Sequence, residues 1–206
     1  MTTTAGIVCK DGIVLASDHQ ASSGYYVAHK HAKKIHKITD NIGMTIAGTV
    51  ADAQSIIDIM IAECNLYKLD HEQEISVEAA ANLLSNILYG QRIYPYMLQT
   101  IIGGEDKSGN NMYTLDPLGS LIKEETVATT GSGTPMAISI LEDNYKEEMT
   151  INEAIPIAIH AVRASIERDV ASGYGIDVII INKDGYKKIS ESEVTEVLKQ
   201  SGKELA

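Results

Sequence analysis

The sequence contains neither tryptophan nor phenylalanine, and it has only two cysteines among its 206 residues. Cys9 and Cys64 form no metal-ligand spacing and no disulfide-rich pattern. This excludes a disulfide-stapled secreted domain and favours a reducing cytoplasm. We interpret both cysteines as buried structural thiols. In the absence of tryptophan and phenylalanine, the ten tyrosines supply the aromatic contacts.

The chain also lacks targeting, membrane and nucleic-acid signals. Its start reads Met-Thr-Thr-Thr, without the basic and apolar segments of a signal peptide, and its apolar stretches are too short to span a membrane. We therefore expect a soluble, cytoplasmic protein with no membrane partner. The net charge is −11, and the basic residues form no long patch apart from Lys30, Lys33 and Lys34. Nucleic acid is excluded as the main partner because phosphate binding needs a concentrated positive surface.

The first half of the chain predicts strands followed by helices. Two β-rich runs at 5–18 flank Lys10-Asp11-Gly12, which indicates a hairpin. Residues 27–38 and 43–47 are predicted as two more strands. The apolar period then changes to that of a helix over 51–69. A second helix is predicted at 77–91, with Ser76 as its N-cap.

The second half repeats this order. The predicted elements are strands at 96–103 and 111–116, helices at 135–145 and from the Thr150 capping box towards Asp169, strands at 176–182 and after Lys183-Asp184-Gly185, and a helix at 190–200. Such segregated blocks favour an α+β fold rather than alternating βαβ units. We predict a four-layer αββα sandwich, with two stacked antiparallel sheets between two helix layers. The length fits one domain over residues 1–206.

Thr2 is the most informative residue for function. If Met1 is removed, Thr2 carries a nucleophilic hydroxyl and a free amine on adjacent carbons. An α-amine has an unperturbed pKa of about 7.7 to 8.0, so at neutral pH a useful fraction can accept the hydroxyl's proton. Alternatively, Thr2 simply begins a β-strand, as a β-favouring residue does.

A threonine nucleophile needs further groups to stabilise its ionised form and the developing oxyanion. Asp18 ends the second strand of the hairpin, and Lys33-Lys34 lies on the next predicted strand, so a buried Asp-Lys pair beside Thr2 is reasonable. The alternative for Lys33-Lys34 is a solvated surface pair. Gly48 follows an apolar strand and precedes the first helix; it either exposes a backbone N–H to substrate or forms a plain turn.

Two more features suggest sites that we do not favour. His29 and His31 would share a strand face and His36 would lie opposite, but no carboxylate motif accompanies them. We interpret these histidines as surface or interface residues and expect no metal. The turn at 130–135, Thr-Gly-Ser-Gly-Thr-Pro, is neither a nucleophile elbow nor a phosphate loop. No cofactor is expected.

Taken together, the motifs resemble the β subunits of the archaeal type of proteasome, which are N-terminal nucleophile hydrolases. The resemblance covers nearly the whole chain. Its segments are residues 2–7 (TTTAGI), 15–18 (LASD), 32–35 (AKKI), 44–48 (MTIAG), 52–54 (DAQ), 84–88 (LSNIL), 130–135 (TGSGTP), 168–169 (RD) and 172–173 (SG). Each segment is short, and it is their combined order and separations along the chain that support the resemblance.

The resemblance implies a role for each matching residue. Thr2 is the nucleophile, and Asp18 and Lys34 form the charged pair that tunes its hydroxyl. Gly48 supplies the oxyanion N–H. The supporting cluster, which positions the Thr2 amine and a catalytic water, consists of Ser132, Asp169 and Ser172.

The resemblance also implies a substrate site. The backbones of Ser22, Gly48 and Ala51 match the edges against which a peptide adds as a strand. The side-chain pocket is lined by Ala21, Ala32, Ile46, Val50 and Ala51. All five are apolar, so we expect cleavage after hydrophobic residues.

Two departures lie near this site: His19-Gln20 replaces a basic pair, and Ala51 replaces a glycine common in relatives. Relatives usually carry a longer propeptide that is removed by self-cleavage, whereas only Met1 precedes Thr2 here. We expect either that an aminopeptidase removes Met1, because threonine is small enough to permit it, or that a longer propeptide has been trimmed from this sequence.

The family works as a seven-membered β ring stacked with α-type rings, supplied by a regulatory ATPase with unfolded polypeptide. The expected function is therefore that of a threonine endopeptidase of the proteasome core particle. The alternative is a catalytically silent β subunit in a mixed ring. A relative of the bacterial two-ring type, which is generally a shorter chain, fits the motifs less well, and so does an unrelated scaffold.

Overall fold

The structure, a computed structural model, describes residues 2–200. Met1, whose removal is expected from the sequence, lies outside the described residues. The strands are β1 (Thr3–Cys9), β2 (Gly12–Asp18), β3 (Ala21–Ser23), β4 (Tyr26–His29), β5 (Ile35–Lys37), β6 (Ile42–Thr45), β7 (Ala47–Gly48), β8 (Leu98–Asp106), β9 (Gly109–Leu115), β10 (Leu121–Glu124), β11 (Val127–Gly131), β12 (Ile176–Asn182) and β13 (Gly185–Lys188). The helices are α1 (Val50–His71), α2 (Val77–Gly90), α3 (Thr134–Asn144), α4 (Ile151–Ile166) and α5 (Glu191–Gln200).

The strands form two main antiparallel sheets. The first has the order β11-β1-β2-β12-β13, so the N-terminal strand β1 lies inside the sheet between β11 and β2. The second has the order β10-β9-β8-β6-β5, and β7 also pairs with β8. β3 and β4 form a separate short hairpin. A strand with a partner on each side has a fixed register and direction, and Thr2 immediately precedes β1.

Three apolar layers separate these sheets and helices. Side chains alternate along β2: Ile13 and Leu15 lie in the layer between the two sheets, whereas Val14 and Ala16 pack against α3 and α4. A third layer packs α1 and α2 against the second sheet. This arrangement confirms the predicted αββα sandwich of two antiparallel sheets between helix layers.

The predicted helix starts are present. Ser76 accepts a hydrogen bond from the backbone N–H of Ala79 and caps α2. Thr150 and Glu153 form a reciprocal capping box at the start of α4. The hydroxyl of Thr49, just before α1, instead donates to Asp52, which also accepts from the N–H of Met97 (2.9 Å). This contact ties the start of α1 to the segment leading into β8.

Two sequence predictions need correction. The strand predicted over 27–38 is wrong, because β4 ends at His29 and β5 begins only at Ile35. The intervening backbone makes isolated contacts instead: Ala32 N–H donates to the His19 carbonyl, and the Lys34 carbonyl accepts from Ile46 N–H. Lys34 therefore precedes a strand and does not lie on one.

The strands β10 and β11 had no sequence prediction, although β11 pairs with β1 along five residues. The β-branched residues at 126–130 were an available signal for β11. Among residues 2–200, no helix combines the length and apolar character needed to cross a membrane.

Truncating the layer between the sheets should destabilise the fold. Leu15 is fully buried there, so Leu15→Ala is expected to lower the free energy of unfolding by about 2 to 5 kcal/mol. The matched control is Leu69→Ala on α1, where the side chain is 77% exposed, and there the change should stay within about 0.5 kcal/mol. Urea denaturation of the purified chain measures both, and similar losses in the two variants would contradict the layer assignment.

Candidate active site

Thr2 lies immediately before β1 and is only 4% exposed. Its backbone nitrogen donates to Ser132 Oγ (3.2 Å), and its carbonyl accepts from Gly133 N–H (3.3 Å). Gly131 has φ +93°, and a Cβ at that position would lie 2.1 Å from the Thr2 carbonyl oxygen. Only glycine fits there. The turn between β11 and α3 therefore closes directly on the backbone of Thr2.

The carboxylate of Asp18 is fully buried and accepts four hydrogen bonds. Oδ1 accepts from Thr3 N–H (3.0 Å) and from Lys34 Nζ (2.6 Å). Oδ2 accepts from the N–H groups of Gln20 and Gly173, each at 2.9 Å. Burial of a carboxylate is tolerated when its lone pairs are all used and a cation is adjacent. Asp18 thus joins three chain segments beside Thr2.

Lys34 is buried opposite Asp18, and its side chain is 5% exposed. Burial lowers the pKa of the Lys34 ammonium, because removal from water disfavours the charged form. The carboxylates of Asp18 and, more weakly, Asp169 oppose this effect without cancelling it. A desolvated cation with a fixed counter-ion stabilises a nearby developing negative charge better than a solvated lysine does.

A hydroxyl and carboxylate cluster lies behind the Thr2 nitrogen. Ser132 Oγ and Ser172 Oγ both donate to Asp169 Oδ2 at 2.7 Å. The Thr3 and Ser172 hydroxyls are 2.7 Å apart, which connects the cluster to β1. The structure therefore places Ser132, Asp169 and Ser172 together at the nitrogen side of Thr2.

Gly48 lies at the end of β7, one residue before the Thr49 that precedes α1. A Cβ on Gly48 would lie 1.9 Å from the Met97 carbonyl oxygen, so no larger residue fits without moving the backbone. Gly48 is exposed to solvent and lines the same cavity as Thr2 and Lys34. The absence of a side chain leaves its backbone open to a ligand in that cavity.

That cavity has a volume of ≈ 420 Å³, and Thr2 lies on its wall. Five predicted substrate residues line it: Ala21, Ser22, Ala32, Ile46 and Val50. Ala51 does not line it, because Ala51 is one position further round helix α1 from Val50. The helix positions that share the face of Val50 do line it, at Ala53, Gln54 and Ile57. Their spacing of three, four and seven residues was a signal available in the sequence.

The histidines have a different setting from the one expected. His29 ends β4 while His31 lies outside any strand, and the two rings meet edge to face with centroids 6.4 Å apart. His29, His31 and His36 all line the cavity beside Thr2. Within residues 2–200, no group of three or more histidine, cysteine, aspartate or glutamate side chains is arranged to hold a metal ion. These three residues were missed as candidate lining residues because they were treated as parts of one regular strand.

His19 and Gln20 also hold the site together, and neither was predicted to do so. Gln20 Nε2 donates to Ser22 Oγ (2.8 Å) and to the Val170 carbonyl (2.9 Å). His19 Nε2 lies 2.9 Å from Asp177 Oδ1, which also pairs with Lys188. Proximity to Asp177 is the largest influence on the pKa of His19, and it raises that pKa despite burial. The resulting ion pair holds His19, the residue after Asp18, against β12.

The contribution of the ion pair between His19 and Asp177 to the free energy of unfolding should depend on pH. A histidine with a raised folded pKa stabilises fully below the unfolded value of about 6.5, and the gain is lost as pH rises through the folded pKa. His19→Gln is therefore expected to cost about 1 kcal/mol more at pH 6 than at pH 9. Urea denaturation at the two pH values measures the difference. In an Asp177→Asn background the same substitution should show no such pH dependence, and persistence of the dependence there would refute the pairing.

Comparison with known proteins identifies the family. The family model described as "Proteasome subunit" matches residues 1–181. The chain is 46% identical over 199 residues to a proteasome subunit beta of Ferroglobus placidus, covering 97% of this chain and 95% of the relative. It is 48% identical to that of Methanococcoides burtonii and 49% identical to that of Methanosphaerula palustris, each covering 94% of this chain and 92% of the relative. The chain belongs to the proteasome subunit family.

Proposed function

We propose that this chain is a threonine endopeptidase subunit of a proteasome core particle, with Thr2 as its nucleophile after removal of Met1. One observation carries the proposal: Thr2, Lys34 and Gly48 line a single cavity, and the carboxylate that pairs with Lys34 also binds the N–H of Thr3. The similarity to proteins named proteasome subunit beta, over nearly their full length, supports the same function.

The proposed reaction begins with the Thr2 hydroxyl. The free Thr2 amine accepts the hydroxyl proton, directly or through water, while the oxygen attacks the carbonyl carbon of the scissile peptide bond. The Lys34 ammonium, held by Asp18, stabilises the oxygen as it loses its proton. The N–H of Gly48 stabilises the negative charge that develops on the carbonyl oxygen.

The amine then returns its proton to the leaving nitrogen, and the C–N bond breaks to leave an ester on Thr2. Water, activated by the same amine, hydrolyses this ester and restores the hydroxyl. The cluster of Ser132, Asp169 and Ser172 holds the amine in position through the 3.2 Å contact between Ser132 Oγ and the Thr2 nitrogen. These three are positioning residues in this proposal.

The cavity would receive the side chain that precedes the scissile bond. Its apolar part, made by Ile46, Val50, Ala53 and Ile57 together with two further alanines, favours hydrophobic side chains. The peptide backbone would add as a strand beside Ser22 and Gly48. Because this binding mode recognises the peptide backbone rather than its side chains, it suits unfolded polypeptides of many sequences.

We place the chain in a seven-membered β ring stacked with α-type rings and served by a regulatory ATPase. Large apolar side chains exposed around the end of α2, such as Ile93 at 78% and Tyr94 at 87%, support burial in an assembly. The two cysteines are free and buried, which suits a reducing cytoplasm. A silent structural subunit is not favoured, because every residue required for the reaction is present: Thr2, Lys34 and Gly48 line one cavity, and Asp18 pairs with Lys34.

The nucleophile is tested by an epoxyketone probe, which needs both a hydroxyl and a free α-amine. Intact mass and N-terminal peptide mapping of the assembled particle should show one adduct per chain on Thr2, with Met1 absent. Thr2→Ala should abolish both the adduct and peptide hydrolysis, whereas Thr2→Ser should retain both, because serine keeps the hydroxyl and the amine. An adduct elsewhere, or undiminished hydrolysis by Thr2→Ala, would disprove the assignment.

The role of Lys34 is tested by Lys34→Met, which keeps the length of the side chain and removes its charge. We expect kcat to fall at least about 10²-fold, as for other losses of transition-state charge stabilisation. Breaking a buried pair also destabilises the fold, so the double variant Asp18→Asn/Lys34→Met, which leaves no unpaired charge, should be folded yet equally slow. The control is Lys30→Met, because Lys30 stacks on Tyr174 outside the cavity. Normal kcat in the folded double variant would contradict the role of Lys34.

A further inference from the structure

The segment between α4 and β12, residues 167–175, belongs to neither a helix nor a strand, yet it carries two of the proposed positioning residues. Asp169 and Ser172 lie on it, and the only buried apolar side chain within the segment is that of Ala171. Tyr174 has φ +66°, in the left-handed region that is disfavoured for any residue other than glycine. Polar contacts, more than packing, must therefore hold this segment in its arrangement.

His19, the residue after Asp18, contacts three consecutive residues of this segment. Its backbone N–H donates to the Gly173 carbonyl (3.0 Å), and its ring makes a hydrogen bond with the backbone of Tyr174. The ring also lies against Gly175, where a Cβ would be 2.5 Å from His19 Nδ1. Because Gly175 has φ +129°, a larger residue there would be strained as well as crowded. His19 therefore supports the end of the segment where its backbone is least favourable.

The other edge of the imidazole faces Asp177 on β12. His19 Nε2 lies 2.9 Å from Asp177 Oδ1, and the two side chains are 13% and 9% exposed. Contact with Asp177 raises the pKa of His19 most, and the hydrogen bond with the Tyr174 backbone raises it further, although burial opposes both. An imidazole with an acceptor at each edge is stabilised in its protonated form, which has two N–H donors.

The other charged and titratable groups around this pair come from β13 and β2. Lys188 on β13 lies 2.6 Å from the same Asp177 oxygen, and its charge lowers the pKa of His19. Burial, and secondly Asp177, raise the pKa of Tyr186 on β13 to about 12, so this phenol stays neutral. On β2, the charge of Asp18 is already neutralised by its buried lysine partner. His19 is therefore the group of this pair that changes charge near neutral pH.

The segment transmits this support to the reacting groups in two ways. Gly173 N–H donates to Asp18 Oδ2 (2.9 Å), so the segment helps to fix the carboxylate of the charged pair. Ser172 Oγ donates to Asp169 Oδ2 (2.7 Å), so the segment also fixes the cluster behind the Thr2 nitrogen. An error of about 1 Å in the placement of reacting groups can cost about 10²-fold in rate. The arrangement of the segment therefore matters for the chemical step.

We propose that the ion pair between His19 and Asp177 is a positioning element for the reaction: it holds residues 167–175, and with them the cluster behind Thr2, in the active arrangement. His19 and Asp177 are positioning residues, and they act as a pair only while the imidazole is protonated. This inference rests on the proposed peptidase function of the same site. Neither residue lines the cavity beside Thr2, so their effect falls on kcat and not on KM.

The direction of the pH dependence follows from the raised pKa of His19. The pair is complete below about pH 6.5, the ordinary value for histidine, and it is lost as pH rises through the folded pKa. The Thr2 amine acts in the opposite direction, because it accepts a proton only in its neutral form. We therefore expect a bell-shaped dependence of kcat on pH, with His19 responsible for the alkaline limb.

The first test measures kcat and KM of the assembled particle with one fluorogenic peptide, and active sites are counted by complete epoxyketone labelling. At pH 6, His19→Gln and Asp177→Asn should each lower kcat about tenfold, with KM unchanged. The double variant should be no slower than either single variant, because each substitution already removes the whole pair. His71→Gln, at an exposed position on α1 outside the cavity, should keep the wild-type kcat.

The second test uses pH to separate positioning from a general loss of stability. The ratio of the wild-type kcat to that of His19→Gln should fall from about ten at pH 6 towards one at pH 9, and titration of the Thr2 amine cancels in this ratio. In an Asp177→Asn background the corresponding ratio should stay near one at both pH values. Lys188→Gln keeps the pair and removes the charge that lowers the pKa of His19, so it should move the alkaline limb of kcat to higher pH than in the wild type.

Unchanged kcat in the single variants, multiplied losses in the double variant, or a ratio that is the same at pH 6 and pH 9 would overturn the inference while hydrolysis by the wild type continues. If a single variant does not assemble, Lys188→Gln decides, and an alkaline limb that does not move overturns the inference. Loss of hydrolysis by the wild type together with no epoxyketone adduct on Thr2 would instead overturn the proposed function, and the inference with it. The two failures are therefore distinguishable.

Discussion

The buried carboxylate of Asp18 is the interaction on which the rest of the site depends. An unpaired buried carboxylate would be prohibitively unstable, so the fold must bring donors to it from several directions. Those donors are the N–H of Thr3 on β1, the N–H of Gln20 after β2, the N–H of Gly173 before β12, and the Lys34 ammonium. Satisfying one charge thereby gathers segments that are far apart in sequence.

A second constraint acts on the other side of Thr2. β1 lies between β11 and β2. Hydroxyl groups of three threonines connect β1 to its neighbours: Thr4 Oγ1 lies 2.6 Å from Thr130 Oγ1 and accepts a hydrogen bond from Thr45 Oγ1. Thr45 in turn accepts from the N–H of Ile101 on β8. A satisfied polar network between two sheets specifies a single arrangement. The start of β1 is therefore held by both sheets as well as by the charged pair.

The sequence was sufficient to predict the structural elements that depend on neighbouring residues or on a repeating apolar pattern. Helices were identified from their apolar period, the Ser76 cap and the Thr150 capping box, and the hairpin from two β-rich runs that flank a turn. The segregated order of strands and helices indicated the layers. The sequence did not identify β10 or β11. Short strands carry weak local signals, β10 has only four residues, and the pairing of β11 with β1 is long-range. It also predicted one strand over 27–38, since a β-rich run does not show that Lys34 must turn inward to reach Asp18.

The candidate site followed the same division. Thr2, Asp18, Lys34 and Gly48 were identified from motifs, and the structure brings them to one place. The lining contributed by His29, His31 and His36 was missed because it depends on the irregular backbone of 30–34 rather than on strand alternation. Gln20 and Thr3 were missed because they act through backbone and hydroxyl contacts, which no spacing in the sequence reveals.

The irregular segment of residues 30–34 also places neighbouring side chains in two different settings. Lys34 faces inward, and Asp18 together with the carbonyl contact to Ile46 holds it in place. His31 and Lys33 lie on the same segment and His29 ends β4 just before it; these three residues are exposed, and they line the same cavity as Lys34. Groups for chemistry must be held closely by their neighbours, whereas groups for selection need only line the cavity. Substitutions at positions 29, 31 and 33 can therefore change the lining of the cavity while the contact between Asp18 and Lys34, and with it the setting of Thr2, stays unchanged.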